Sequence, residues 1–314
     1  MGGCVAIKKS VMDVARKGRN FLVRNVVEPS QRVKYRQVFD RLIDQSAAQD
    51  FIGNGIRKGD PFFVGRLGYT EARAVGEGAF KGGVFSPTSI ENMKTLSGFF
   101  PTTSDNLQRY TEMTLNDLSL VDMIGHWNTP YQYALLEKYA PNCTITDLGN
   151  LEPFFAANPW THALEGKRVV AVSPFGVSIP QNYADKKELP FLDRLLPDFE
   201  LEVVIPPVTY TGSEDGDASW FTEFEKLKRD IDSREFDVAI LGCGAYGFPL
   251  AGYLKTTGRS AIHLGGATQL LFGVKGSRWA EREDFSQLFE GSWRPPVRNE
   301  FPPGYKRVEG GCYW

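Results

Sequence analysis

Two neighbouring stretches decide the fold. The first is Asp237-Val238-Ala239-Ile240-Leu241-Gly242-Cys243-Gly244-Ala245-Tyr246-Gly247-Phe248-Pro249; the second is Ala261-Ile262-His263-Leu264-Gly265-Gly266. An unbroken apolar run, a glycine turn and a helical segment with Pro249 in its first turn read as strand, turn and helix. The second stretch is the next strand. Strands apolar at successive positions, not at alternate ones, are covered on both faces, and helical crossovers make them parallel.

Outward from this unit the same grammar repeats. Further strands are expected at 61–67, 121–126, 144–148, 168–173 and 201–205. Helices are expected from about Thr70, taken as the N-cap, and at 105–118, 130–139, 220–232 and 249–256. Val33, Val38, Leu42 and Ile43 fall at helical spacing after Pro29-Ser30. Residues 81–104, rich in Gly, Ser, Thr and Pro, read mostly as loop. The fold class is therefore α/β: a Rossmann-like, mostly parallel sheet with helices on both faces, N-terminal helices and an extended C-terminal tail. The chain divides into a basic helical region at 1–55, the α/β body at 56–290 and a tail at 291–314 that packs on the body.

The 314 residues are 42% hydrophobic and 24% charged, which excludes disordered and fibrous classes. A net charge of −2 gives no global attraction to nucleic acid, and no nucleic-acid partner is expected. Locally the charge is segregated: between Met1 and Arg36 only Asp13 and Glu28 oppose nine Lys and Arg. That basic arm would suit peripheral contact with an anionic membrane or an acceptor. The opening Met1-Gly2-Gly3-Cys4 has Ala6 where an N-myristoylation signal wants Ser or Thr. Four scattered cysteines without a CxxC argue against a disulfide or zinc framework and for a reducing, cytoplasmic setting. No apolar run reaches the roughly 20 residues of a membrane helix.

Three blocks carry chemistry. The turn Gly242-x-Gly244-x-x-Gly247, with Tyr246, follows a buried strand and opens a helix, where backbone N–H groups meet phosphate. Tight strand–helix packing would call for the same glycines. The next strand ends His263-Leu264-Gly265-Gly266 without the acidic residue that a dinucleotide ribose needs, so neither NAD nor flavin is expected. Beyond it, Lys275 and Arg278 suit phosphate oxygens, and Trp279 suits either a base or the core. The third block is Gly65-Arg66-Leu67-Gly68-Tyr69-Thr70-Glu71, again strand, turn and helix, with an Arg and a Glu flanking the glycine.

The third block resembles the R-x-G-D-G-E signature of the GT-D fold glycosyltransferases, with Arg66, Gly68 and Glu71 on its Arg, first Gly and Glu. The unit from Asp237 to Gly266 is similar to that family's C-terminal half. The resemblance implies a nucleotide-sugar donor and a glycan acceptor. On that reading Gly68, Tyr69, Gly242, Gly244, Tyr246, Gly247, Gly265, Gly266, Lys275 and Arg278 are expected around the nucleotide, the glycine turn with Lys275 and Arg278 by their own chemistry. Arg66 and Glu71 are the expected catalytic residues, with His263 as the second candidate for the base. The family's Asp-x-Glu binds a divalent ion, Mn or Mg; here Tyr69-Thr70-Glu71 keeps only Glu71 for that role. Two other functions stay open on the residues: an NAD(P)-dependent Rossmann oxidoreductase, and a non-catalytic nucleotide- or sugar-binding protein.

Overall fold

A computed structural model describes residues 28–207, 209, 219–280, 285, 291–307 and 310–314. The lipidation start and most of the basic arm lie outside the described residues. So does the amphipathic stretch read at 10–27.

Eight strands form one parallel sheet: β1 (Leu42–Ile43), β2 (Phe63–Gly65), β3 (Met123–His126), β4 (Thr144–Asp147), β5 (Arg168–Val172), β6 (Glu200–Val204), β7 (Val238–Leu241) and β8 (Ser260–His263). Their order is β1-β4-β3-β2-β8-β7-β5-β6, with every pairing parallel. The apolar runs are buried on both faces because successive side chains leave a strand in opposite directions. Val238 and Ile240 enter one core with Val169, Ala171 and Ile262. Ala239 and Leu241 enter the other with Val170, Val172 and Ala261. Each fully buried Val, Leu or Ile contributes roughly 1.5–3 kcal/mol, so Val238, Ile240 and Leu241 add apolar burial on both faces to the backbone ladders that β7 makes with β5 and β8.

The helices are bounded by local chemistry. Asp44 caps Gln45–Lys58 through the Ala47 N–H, and Gly59 ends it at φ 76°. Ser219 caps Trp220–Asp232 through the Thr222 N–H. Three sequence expectations change. The segment read as loop at 81–104 contains the helix Pro87–Thr95, capped by Ser86 with Pro at its start. Leu42 and Ile43 form an edge strand on β4, in register with Ile145 and Thr146, where helical spacing suggested helix. The cap before Glu71 is Gly68, not Thr70: the Ala72 N–H donates to the Gly68 carbonyl at 2.8 Å, so the helix opens two residues earlier than expected.

The chain runs from β2 outward to β3, and the second half approaches from the opposite edge to lay β8 against β2. The β2–β8 boundary is thus where the sheet's two halves meet. In open parallel sheets ligands bind outside the strand C-termini at such a reversal.

Candidate active site

A cavity of about 720 Å³ lies over that edge. β2 contributes the segment from Arg66 to Glu71, β7 contributes Gly242, Gly244 and Ala245, and β8 contributes His263, Gly265 and Gly266. Trp127 follows β3, Leu148 follows β4 and Ser173 to Phe175 follow β5, so five strand ends besides β2 feed one opening. Arg278, Trp279, Tyr313 and Trp314 close another side.

Arg66 is half-buried, its guanidinium 4.7 Å from the centre of the Trp127 ring. The Trp127 indole is held by an N–H bond of 3.0 Å to the Leu67 carbonyl, so the two faces of this cation–π contact belong to one turn. Among the described residues Arg66 forms no ion pair, and none with Glu71. Burial pulls its proton affinity down; Tyr313, Glu152 and Glu71 oppose this, and Arg278 adds to it as a like charge. Glu71 sits in the first turn of the helix Tyr69–Phe80, and its carboxylate folds back over Gly68, where any Cβ would collide with it. Glycine at 68 leaves room for this fold-back, and a Cβ there would push the flexible carboxylate aside. A carboxylate in that turn also suits the positive end of the helix.

His263 is buried at the end of β8. Its Nδ1 lies 3.2 Å from the Leu241 carbonyl, which only accepts, so Nδ1 carries the proton and Nε2 is bare. Burial, with the Arg66 charge second, pushes its pKa down to about 3, leaving a neutral imidazole at physiological pH.

The glycine spacing answers to two demands. Gly244 has φ 57°, a left-handed conformation costly to residues with a Cβ. At Gly242 a Cβ would stand 2.6 Å from Thr268 Cβ, and at Gly247 it would enter the His263 ring. Gly242 and Gly244 reach the cavity, but Gly247 serves packing. Tyr246 also lies off the cavity, stacked on Trp220 at 4.7 Å with an interplanar angle of 4°. Lys275 is likewise not in the lining; its backbone N–H donates to the Arg294 carbonyl. Of the expected residues, the cavity gathers Arg66, Gly68, Tyr69, Glu71, Gly242, Gly244, His263, Gly265, Gly266 and Arg278.

The lining also includes Glu152, Ser173, Phe175, Tyr313 and Trp314, which no local signal marked. The tail places the last two. Glu300 accepts the Val177 and Ser178 N–H groups, the Trp314 indole donates to the Glu300 carbonyl at 2.9 Å, and the Gln269 amide donates to the Tyr313 carbonyl at 3.0 Å. Arg278 Nη1 donates to the Tyr313 hydroxyl at 3.1 Å. That the tail packs on the body was expected; a place in the cavity for Tyr313 and Trp314 needed the whole wrap.

The class this arrangement defines is a parallel α/β protein with a ligand crevice at the reversal of strand order. No protein-family model matches the chain, and no curated protein matches it. Solved structures similar to it include one described as a new glycosyltransferase of domain of unknown function 1792 from Streptococcus sanguinis, 14% identical, with a TM-score of 0.44 over 83% of this chain and 96% of that one. Another, of the same domain and described as having a distinct glycosyltransferase fold, is 12% identical with a TM-score of 0.43, over 83% of this chain and 92% of that one. No residue role is carried over from either.

Proposed function

We propose that the chain moves a sugar from a nucleoside-diphosphate donor to a glycan or polysaccharide-type acceptor. The observation that carries this reading is Arg66 and Glu71, a cation and a carboxylate without ion-pair partners among the described residues, set across one glycine turn in a cavity of about 720 Å³. The volume falls in the range of small-molecule sites. As the sugar–phosphate bond breaks, negative charge grows on the leaving diphosphate, and fixed cations there lower the barrier. Arg66 and Arg278 are close enough to repel, and a shared anion between them would turn that repulsion into two attractions. The Gly242–Gly244 turn offers backbone close to the phosphates, while Trp127, Trp279 and Tyr313 offer flat faces for base or sugar.

Glu71 takes the acceptor's hydroxyl proton as the new bond forms. The base role goes to Glu71 and not to His263, because an imidazole with a pKa of about 3 withdraws protons poorly. No three metal-ligating side chains cluster among the described residues. Were Mg or Mn bound, the carboxylate of Glu152, or that of Glu71 in place of its role as base, would hold it, and the ion would neutralise charge on the leaving group. The acceptor class and any contact of the basic arm with a membrane belong to the same proposal. Among the described residues no helix is long and apolar enough to cross a membrane.

The test is a thermal-shift and turnover screen with UDP, GDP, their sugars and NAD(P), with and without manganese. UDP or GDP should stabilise the wild type, and Arg66→Gln should weaken that binding roughly ten- to a hundredfold, the worth of charge-assisted hydrogen bonds. Glu71→Gln should keep the fold and lose transfer. Stabilisation by NAD(P) alone, or full transfer by the Glu71 variant, refutes the reading.

A further inference from the structure

Gly310 and Gly311, at φ 73° and 85°, fold the tail back on the body in left-handed backbone that residues with a Cβ rarely hold. The turn closes with the Trp314 N–H on the Gly311 carbonyl at 2.9 Å, and the carbonyl of the buried Cys312 accepts the Arg278 N–H at 3.0 Å. With the bond from the Gln269 amide to the Tyr313 carbonyl, the backbone is fixed on either side of the Tyr313 ring.

The ring rests on the turn that ends β8. A Cβ on Gly266 would stand 2.9 Å from Tyr313 Cε1, so glycine there lets the ring descend. On the neighbouring Gly265, at φ 61°, a Cβ would stand 3.4 Å from Arg66 Cδ. Arg66 and Tyr313 thus meet one glycine pair, and Tyr313 and Arg278 both lie close enough to act on the Arg66 charge. The Arg278 guanidinium stands 4.8 Å from the centre of the Tyr313 ring, and its Nη1 donates to the hydroxyl oxygen at 3.1 Å. An oxygen that accepts from arginine turns its own proton away as a donor. Tyr313 is half-buried and lines the cavity. Two arginines and a hydroxyl donor beside a glycine pair suit the oxygens of a diphosphate. Glu71 and Glu152, which also act on Arg66, would repel an anion, so it belongs at the Arg278 end.

Glu300 is not in the cavity lining and reaches Tyr313 only through the tail. Its carboxylate holds the segment after β5 by the Val177 and Ser178 N–H groups, at 2.7 and 3.0 Å. Its carbonyl holds the indole of Trp314, the residue after Tyr313.

We propose that Tyr313 is a further binding residue of the main cavity, donating its hydroxyl to a diphosphate held between Arg66 and Arg278 at Gly265–Gly266, and that Glu300 positions it. Naming that diphosphate part of a sugar donor rests on the function proposed above; the subsite itself needs only the anion.

The test is calorimetric titration of the full chain with inorganic pyrophosphate, UDP and GDP. Tyr313→Phe keeps the ring on Gly266 and removes the hydroxyl. It should lower the affinity for each probe that the wild type binds about tenfold, at an unchanged melting temperature. Glu300→Ala should lower the same affinities, and Glu300→Gln, which keeps an acceptor for the two N–H groups, should recover most of the loss. Tyr313→Phe added to Glu300→Ala should cost well under a further tenfold, because both remove one interaction. Equal affinity in wild type and Tyr313→Phe overturns the subsite, as does a wild type that binds none of the three probes. A loss confined to UDP and GDP moves Tyr313 to the base and overturns it as well. Full additivity of the two substitutions overturns the positioning role of Glu300. If Tyr313-dependent pyrophosphate binding persists while no UDP- or GDP-sugar is turned over, the subsite stands and the transfer reading falls.

Discussion

Replacing Asp117 with Asn should remove a pH dependence that the fold builds into itself. Asp117 lies in the helix Ser104–Leu120, 8% exposed, with Oδ2 buried and unpartnered and Oδ1 against Gly252, where a Cβ would collide with it. Burial alone raises its pKa from 3.8 to about 8. A carboxyl with a raised folded pKa contributes its full stability below the unfolded pKa and loses it as pH climbs towards the folded value. Between those values the folded chain holds one proton more than the unfolded chain, so stability falls by about 1.4 kcal/mol per pH unit. His263 runs the other way. With its pKa lowered from 6.5 to about 3, it contributes stability that is present above pH 6.5 and lost on acidification. The two slopes oppose each other between about pH 4 and 6.5, and Asp117 acts alone of the pair above that. From pH 6.5 to 8 its share of the loss is roughly 2 kcal/mol, or a few degrees in melting temperature for a chain of this size. Urea melts of wild type and Asp117→Asn at half-unit pH steps measure it. The wild type should weaken towards pH 8 relative to the variant, and the variant should instead gain stability from pH 4 to 6.5 as the histidine slope is uncovered. At neutral pH the removed ionisation cost of about 4 kcal/mol is offset by a buried amide worth about 1–3 kcal/mol, so the variant should be modestly more stable. Parallel curves for the two proteins would refute the reasoning.

Gly247→Ala should destabilise by about 1–3 kcal/mol, the cost of forcing a methyl into packed surroundings, because its Cβ enters the His263 ring; a denaturant midpoint checks this, and an unchanged midpoint means that the ring moves freely. The His263 imidazole should show no titration by NMR between pH 5 and 8, since its pKa is about 3; an inflection near 6.5 would mean that Nε2 reaches water. Gly68→Ala should lower sugar transfer more than nucleotide binding, because a Cβ there displaces the Glu71 carboxylate that takes the acceptor proton; turnover measured beside calorimetric titration with UDP and GDP reads the difference, and unaltered turnover shows that the position of Glu71 does not matter.

The central strands could be read from the chain because each is buried on both faces, so its composition is constrained at every position. β7 and β8 are the clearest instances, buried along their whole length. β1 could not: two residues carry no period, and Leu42 and Ile43 fit a helix equally well until β4 offers a partner. The helix Pro87–Thr95 had its signal in Ser86-Pro87, but the surrounding Gly, Ser and Thr masked it. Within the site, Arg66, Glu71 and the glycine turns were visible because a charge at a strand end and a glycine at a turn answer to local backbone geometry.

Local order along the chain thus set the strands, their parallel direction and the turns from which Arg66, Glu71, Gly242 and His263 emerge. Packing over long sequence separations set the rest. It left Arg66 without an ion pair among the described residues, kept the His263 ring neutral by burial, turned Tyr246 and Gly247 into packing residues and brought Tyr313 and Trp314 back to the cavity wall. Backbone propensity and strand burial are read from neighbours in sequence, whereas desolvation, charge proximity and pocket shape depend on neighbours in space.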